Sequence, residues 1–146
     1  MQHRSPVVFS VLLAVGLTAG PAMAEEARNP DVKARIALMQ DFKAQMKVLA
    51  EAASGKTSFD ADEVAAAITA LQAGAADVAP RFRPQADDPA SEALPEIWAA
   101  PSEFRQKTNR MIRAADALAG TSAGALAKTL DPVQAACKDC HGRFKM

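Results

Sequence analysis

Cys137-Lys138-Asp139-Cys140-His141, near the end of the 146-residue chain, decides how everything before it is read. Two cysteines at this spacing, with a histidine directly after the second, form the c-type haem attachment motif. On a helix, positions i, i+3 and i+4 share one face. A helical stretch therefore points Cys137, Cys140 and His141 the same way. Each thiol can then close a thioether to a haem vinyl group, and the His141 imidazole supplies the proximal iron ligand. Other uses of these residues are weaker. A thioredoxin-type dithiol belongs to a βαβ setting, and no strand pattern lies nearby. A tetrahedral zinc site needs four ligands, whereas the chain holds two cysteines and two histidines, one of them His3. A disulfide between the cysteines stays open but leaves His141 without a role.

The motif continues an apolar stripe. Leu126, Leu130, Val133, Cys137, Cys140 and Phe144 recur at helical spacing, which predicts a helix from about Ala123 to Phe144. Pro132 lies inside it and predicts a bend or short break around Leu130 to Val133. Before it, Phe104, Thr108, Met111, Ala115 and Leu118 mark a third helix, with Ser102 as its expected cap and Gly120-Thr121-Ser122 as its end. A second helix begins at the cap Asp60 and carries Val64, Ile68, Leu71, Ala75 and Val78. It is expected to stop near Ala79, because Pro80 follows. The first starts at Asn29-Pro30, where Asn29 can cap and Pro30 suits the first turn. Its stripe is Val32, Arg35, Met39, Phe42, Met46 and Leu49, and Gly55 suits a left-handed stop. Between the second and third helices, Pro80, Pro84, Pro89, Pro95 and Pro101 mark a long connection, with a short 3₁₀ piece expected at Glu96-Ile97-Trp98. The pattern predicts an all-α, antiparallel four-helix bundle with covalently bound haem near one end.

Composition agrees and narrows the function. At 49% hydrophobic and 5% aromatic residues the chain can bury one core, and its abundant alanines favour packed helices over sheets. Lys+Arg and Asp+Glu both total 17, so no basic face calls for nucleic acid. The N-terminus carries Arg4, an apolar run from Val7 to Leu17 and the small-x-small site Ala22-Met23-Ala24, the order of a secretory signal. Cleavage after Ala24 is expected. Residues 1–24 would be the signal peptide and 25–146 the mature domain, exported to the periplasm with no membrane insertion after cleavage. No credible constellation of catalytic acid, base or nucleophile is present, so an enzyme is not expected.

Together these features resemble the class II c-type cytochromes, the cytochrome c-prime group, over essentially all of residues 29 to 145. The points of likeness are Arg35 with Met39, Phe59-Asp60-Ala61, Pro95-Glu96-Ile97-Trp98, and the Cys-x-x-Cys-His motif followed by Phe144 and Lys145. The resemblance implies that Cys137 and Cys140 carry one haem c, with His141 as axial ligand. It implies that Arg35 pairs with a haem propionate, although Arg35 could also snorkel its head to water at the bundle end. Ser91 and Glu92 match a loop that touches the haem edge. The closing cation is often arginine in the group; here it is Lys145, with Arg143 two positions before. Relatives often dimerise through their first two helices.

The resemblance also poses the question of the sixth iron ligand. Met146 follows the motif too closely to wrap around the haem. Met39 matches the distal position, where low-spin relatives use a methionine thioether and others leave iron five-coordinate behind an apolar residue. Met39 could equally be a packing methionine, and Met46 is a poorer candidate. A His/Met iron suits electron transfer with redox partner proteins. An open iron suits small gaseous ligands such as nitric oxide or carbon monoxide.

Overall fold

A computed structural model describes residues 26–146. The expected signal segment at 1–24 lies outside the described residues. Four long helices and one short one follow in order: α1 Pro30–Ser54, α2 Ala61–Arg81, α3 Glu96–Ala99, α4 Pro101–Asp116 and α5 Ala123–Phe144. α1 packs on α2 and α5, and α4 packs on the same two, so the long helices form an antiparallel four-helix bundle. The N-termini of α1 and α4 and the C-termini of α2 and α5 gather at one end. The contacts there show it: Arg35 reaches Arg81, Phe82 meets Phe104, and Phe104 meets Phe144.

Several helix ends follow their local chemistry. The Asn29 side chain accepts hydrogen bonds from the Asp31 and Val32 amides, and Pro30 opens the first turn. Gly55, at φ 74°, ends α1 in the left-handed region that other residues avoid. Asp60 accepts from the amides of Asp62 at 2.9 Å and Glu63 at 3.0 Å. These caps satisfy donors that the helix itself leaves open.

Tertiary context overrides the local reading at other ends. α2 runs through Pro80 to Arg81 instead of stopping at Ala79. The proline removes one ladder donor, but the Phe82 amide still reaches the Val78 carbonyl across it, at 3.2 Å. The carbonyl of Arg81 is meanwhile used by Arg35. α4 starts with Pro101 at its first position and Ala100 at its cap, so Ser102 is not the cap. It ends at Asp116, short of Gly120; the Ala117 and Leu118 amides still reach α4 carbonyls, and the Ala119 amide donates to the Thr129 hydroxyl at 3.0 Å. Gly120 packs closely on α2: a Cβ there would lie 2.8 Å from Ile68 Cδ1, so the tip of that side chain would have to shift. α5 is helical from Ala123 to Phe144, with no break at Pro132. Pro132 is exposed, so the carbonyl that lost its donor can turn to water. Glu96–Ala99 is a single α turn, not a 3₁₀ piece.

The connection 82–100 joins two adjacent helices, despite its length. The surplus folds over the bundle end and is stitched to the end of α5. The Leu94 amide donates to the Phe144 carbonyl, and the Met146 amide to the Glu92 carbonyl, both at 2.9 Å. A bridge pairs Ala93 with Lys145. Asp88, buried in this connection, accepts from the amides of Arg28 at 2.7 Å, Asn29 at 2.8 Å and Ala90 at 2.9 Å. It thereby ties the entry of α1 to the same loop.

The core has two parts. Away from the loop, Leu49, Leu71, Leu126 and Val133 are fully buried among alanines of all four long helices. Each such leucine contributes about 1.5–3 kcal/mol by leaving water. At the loop end, Val78, Ile97, Phe104 and Phe144 form a smaller cluster with Met39, Phe82, Trp98 and Cys140 around it.

Candidate haem site

The attachment motif occupies the last turns of α5, so helical spacing brings its three functional side chains to one side. Two clefts flank it. One, about 310 Å³, is lined by Arg35 and Met39 from α1, Ser91 and Glu92 from the loop, and Cys140, His141 and Lys145. The other, about 240 Å³, is lined by Met39, Met46, Lys107, Met111, Cys137, Cys140 and His141. Met39, Lys43, Val78, Cys140 and His141 belong to both, so the clefts are two sides of one region.

Both thiols are free and half-buried. The Cys137 thiol faces Met111 Sδ at 3.8 Å. Burial pushes both thiols up, Cys140 to about 11, where Lys107 opposes the rise and Cys137 and Asp139 add to it. Reactive redox dithiols need the opposite shift, so this pair does not resemble a thioredoxin-type centre. His141 keeps a solvent-exposed side while lining both clefts. Partial burial lowers its pKa, Lys145 lowers it further and Glu92 opposes. Burial thus favours the neutral imidazole, the form that ligates metals.

Arg35 is 3% exposed, so its head does not snorkel to water. Nε donates to the Arg81 carbonyl at 3.0 Å and Nη2 to the Pro84 carbonyl. The guanidinium lies over the rings of Phe82, at 4.9 Å, and Trp98, at 5.3 Å. Trp98 is itself fixed by its indole N–H, which donates to the Phe82 carbonyl at 2.8 Å. Burial pulls the Arg35 pKa down, and Asp31 pulls the other way. Nη1 is buried and has no hydrogen-bond partner. A buried cation with an unspent donor, on a cleft wall, is chemically suited to an anion such as a propionate.

The loop brings the remaining expected residues to the same cleft. The Ser91 hydroxyl accepts from the Ala93 amide at 3.3 Å. Glu92 Oε1 accepts from Lys145 Nζ at 2.9 Å. Lys145 lines the cleft, whereas Arg143 turns outward to Glu103 at 3.4 Å. Of the two closing cations, Lys145 is the one at the site. An anion-ready arginine, two thiols and an imidazole on one helix, a thioether on its neighbour and apolar walls together fit a haem c.

Some site residues were not anticipated from sequence. Phe82 lies among prolines, and its aromatic ring there was the one available signal. Lys43 sits four positions after Met39 and lines both clefts. Lys107 lies beside the stripe residue Thr108, and its Nζ meets Asp139 Oδ1 at 2.8 Å. Arg110 meets the other oxygen of Asp139, also at 2.8 Å. The Lys107 hydrogen bond holds the Asp139 carboxyl below its usual range, with burial opposing and the charges of Lys107 and Arg110 assisting.

Known proteins match this picture. The sequence profile of the Cytochrome C' family matches residues 31–145. A cytochrome c-554 of Cereibacter sphaeroides is 33% identical over 147 residues, covering 93% of this chain and 95% of the relative. The crystal structure of cytochrome c' from Rubrivivax gelatinosus superposes with a TM-score of 0.72 at 25% identity, over 80% of this chain and 94% of that one. A ferrous variant of cytochrome c prime from Alcaligenes xylosoxidans with bound NO superposes with a TM-score of 0.65 at 25% identity, over 80% and 94%. With its attachment motif at the end of the last helix of an antiparallel bundle, the chain belongs to the cytochrome c' family, c-type cytochromes of electron transfer or gas binding that carry a covalent haem c.

Proposed function

We propose that the chain is a periplasmic carrier of single electrons between redox partner proteins. In this reading residues 1–24 direct export and are removed, leaving 25–146. Haem c supplies a one-electron ferric/ferrous couple. Cys137 and Cys140 hold it through thioethers, and His141 is its proximal ligand. Arg35 receives a propionate on Nη1, while Ser91 and Glu92 border the haem edge. Met39 supplies the distal thioether.

One observation carries this reading. Met39 on α1 and His141 on the adjacent α5 line the same two clefts. A methionine and a histidine so placed can saturate an iron between them, which suits outer-sphere transfer and raises the potential. The apolar walls around Met39, including Val78, Ile97 and Phe104, limit water at that face. The NO-bound relative favours a second reading, in which Met39 only packs and the distal face admits a small gas.

The test is an absorption and EPR spectrum of the matured protein, with and without carbon monoxide. A low-spin ferric spectrum that becomes high-spin in Met39→Ala, with carbon monoxide binding only to the variant, is the expected result. Wild-type protein that is already high-spin and binds carbon monoxide overturns Met39 ligation in favour of the gas-binding reading. A mature mass equal to the bare processed chain overturns both.

A further inference from the structure

The cleft on the Met46 and Met111 side has an unusual charge balance. Its lining includes Lys43 and Lys107 and, among the described residues, no Asp or Glu. Lys43 is exposed, and water screens it. Lys107 is different: its side chain is 13% exposed, and Asp139 grips it from outside the lining at 2.8 Å. Asp139 itself is 39% exposed and is shared with Arg110, whose side chain is 51% exposed. The pair is therefore asymmetric. Lys107 lines the cleft and is the more buried partner, while the anion lies toward solvent, where screening weakens it. Asp139 also lies between Cys137 and Cys140 in sequence, so the grip fixes the cation against the attachment turn.

We infer that Lys107 sets the reduction potential of the haem site, as a positioned cation that favours ferrous over ferric iron. This rests on the haem-carrying reading above. Reduction adds one electron from a one-electron donor to ferric iron and moves no proton. The oxidised centre carries one more positive charge, so a nearby fixed cation raises its energy more than that of the reduced centre. Lys107 and Asp139 then act on the couple with opposite signs, and Lys107 prevails because it is the less screened.

The experiment is a spectroelectrochemical titration of covalently loaded wild type, Lys107→Gln, Asp139→Asn and Lys107→Arg, with thermal melts of each. Loading is verified first by mass, and a wild type without haem indicts the functional reading rather than this one. Lys107→Gln is expected to lower the potential by a three- to tenfold shift in the ferric/ferrous equilibrium, tenfold being about 59 mV for one electron. Asp139→Asn is expected to raise it, and Lys107→Arg to stay within twofold of wild type. A purely structural salt bridge would lower the melting temperature in both charge-removing variants without giving opposite shifts. Shifts of the same sign, or less than twofold in Lys107→Gln, overturn the inference. If Lys107→Gln fails to load haem, the sign of the Asp139→Asn shift decides.

Discussion

The two ends of the bundle use the same four helices for different purposes. Away from the crossover loop, Leu49, Leu71 and Leu126 fill the space between helices, backed by small alanines. Toward the loop, the same stripes carry Met39, Cys140 and aromatic rings, and the walls part into clefts. Arg35, on the α1 stripe, is held there by carbonyls and ring faces. One end supplies stability through packing; the other spends stability on chemistry. Function has been added by changing which residues occupy the seam, with little change to the seam itself.

The largest predicted effect tests that division directly. Leu71→Ala, with a fully buried side chain, should cost about 2–5 kcal/mol, read as a fall in the denaturation midpoint with the haem spectrum unchanged. A loss under about 1 kcal/mol would show that the packed end is not the stabilising one. Arg35→Gln should cost less, about 1–3 kcal/mol, because carbonyls and rings lose a cation but no leucine-sized void is made. It should also perturb the haem spectrum, which Leu71→Ala should not. Arg35→Lys should restore little, since an ammonium cannot reproduce the planar fork.

The smallest effect concerns acid. Asp88 is held below the usual carboxylate range by hydrogen bonds from the Asn29, Ala90 and Arg28 amides, with burial opposing. A depressed folded pKa contributes stability above the unfolded value of about 3.9 and loses it as pH falls through the folded value. Wild type should therefore lose more stability than Asp88→Asn between pH 6 and pH 3. Melting temperatures that fall in parallel would remove Asp88 as a tether between the loop and α1.

Much of this was legible in the sequence, for reasons that differ by residue. The stripes through Leu49, Leu71, Met111 and Leu126 announce their helices because burial imposes a fixed period. The motif announces its cofactor because covalent attachment demands fixed spacing. Pro80 misled, since its local cost was outweighed by bonds that only the folded chain supplies, and at Pro132 the helix runs on without a break because that turn faces solvent. The Lys107–Asp139 pair, separated by 32 residues, and the Asp88 tether, separated from Arg28 by 60, leave no periodic trace. The placement of Arg35 between Phe82 and Trp98 is likewise decided by how the loop folds back, not by spacing.

The alternation of helix directions has a further consequence. Each helix carries about half a positive charge at its N-terminus and half a negative charge at its C-terminus. The haem end collects two of each, from α1 and α4 and from α2 and α5. To first order the four macrodipoles cancel there. The backbone scaffold is thus nearly silent electrostatically, and the field felt at the site is written by individual side chains. A family built on one such scaffold can retune its iron by single substitutions, without rebuilding a helix.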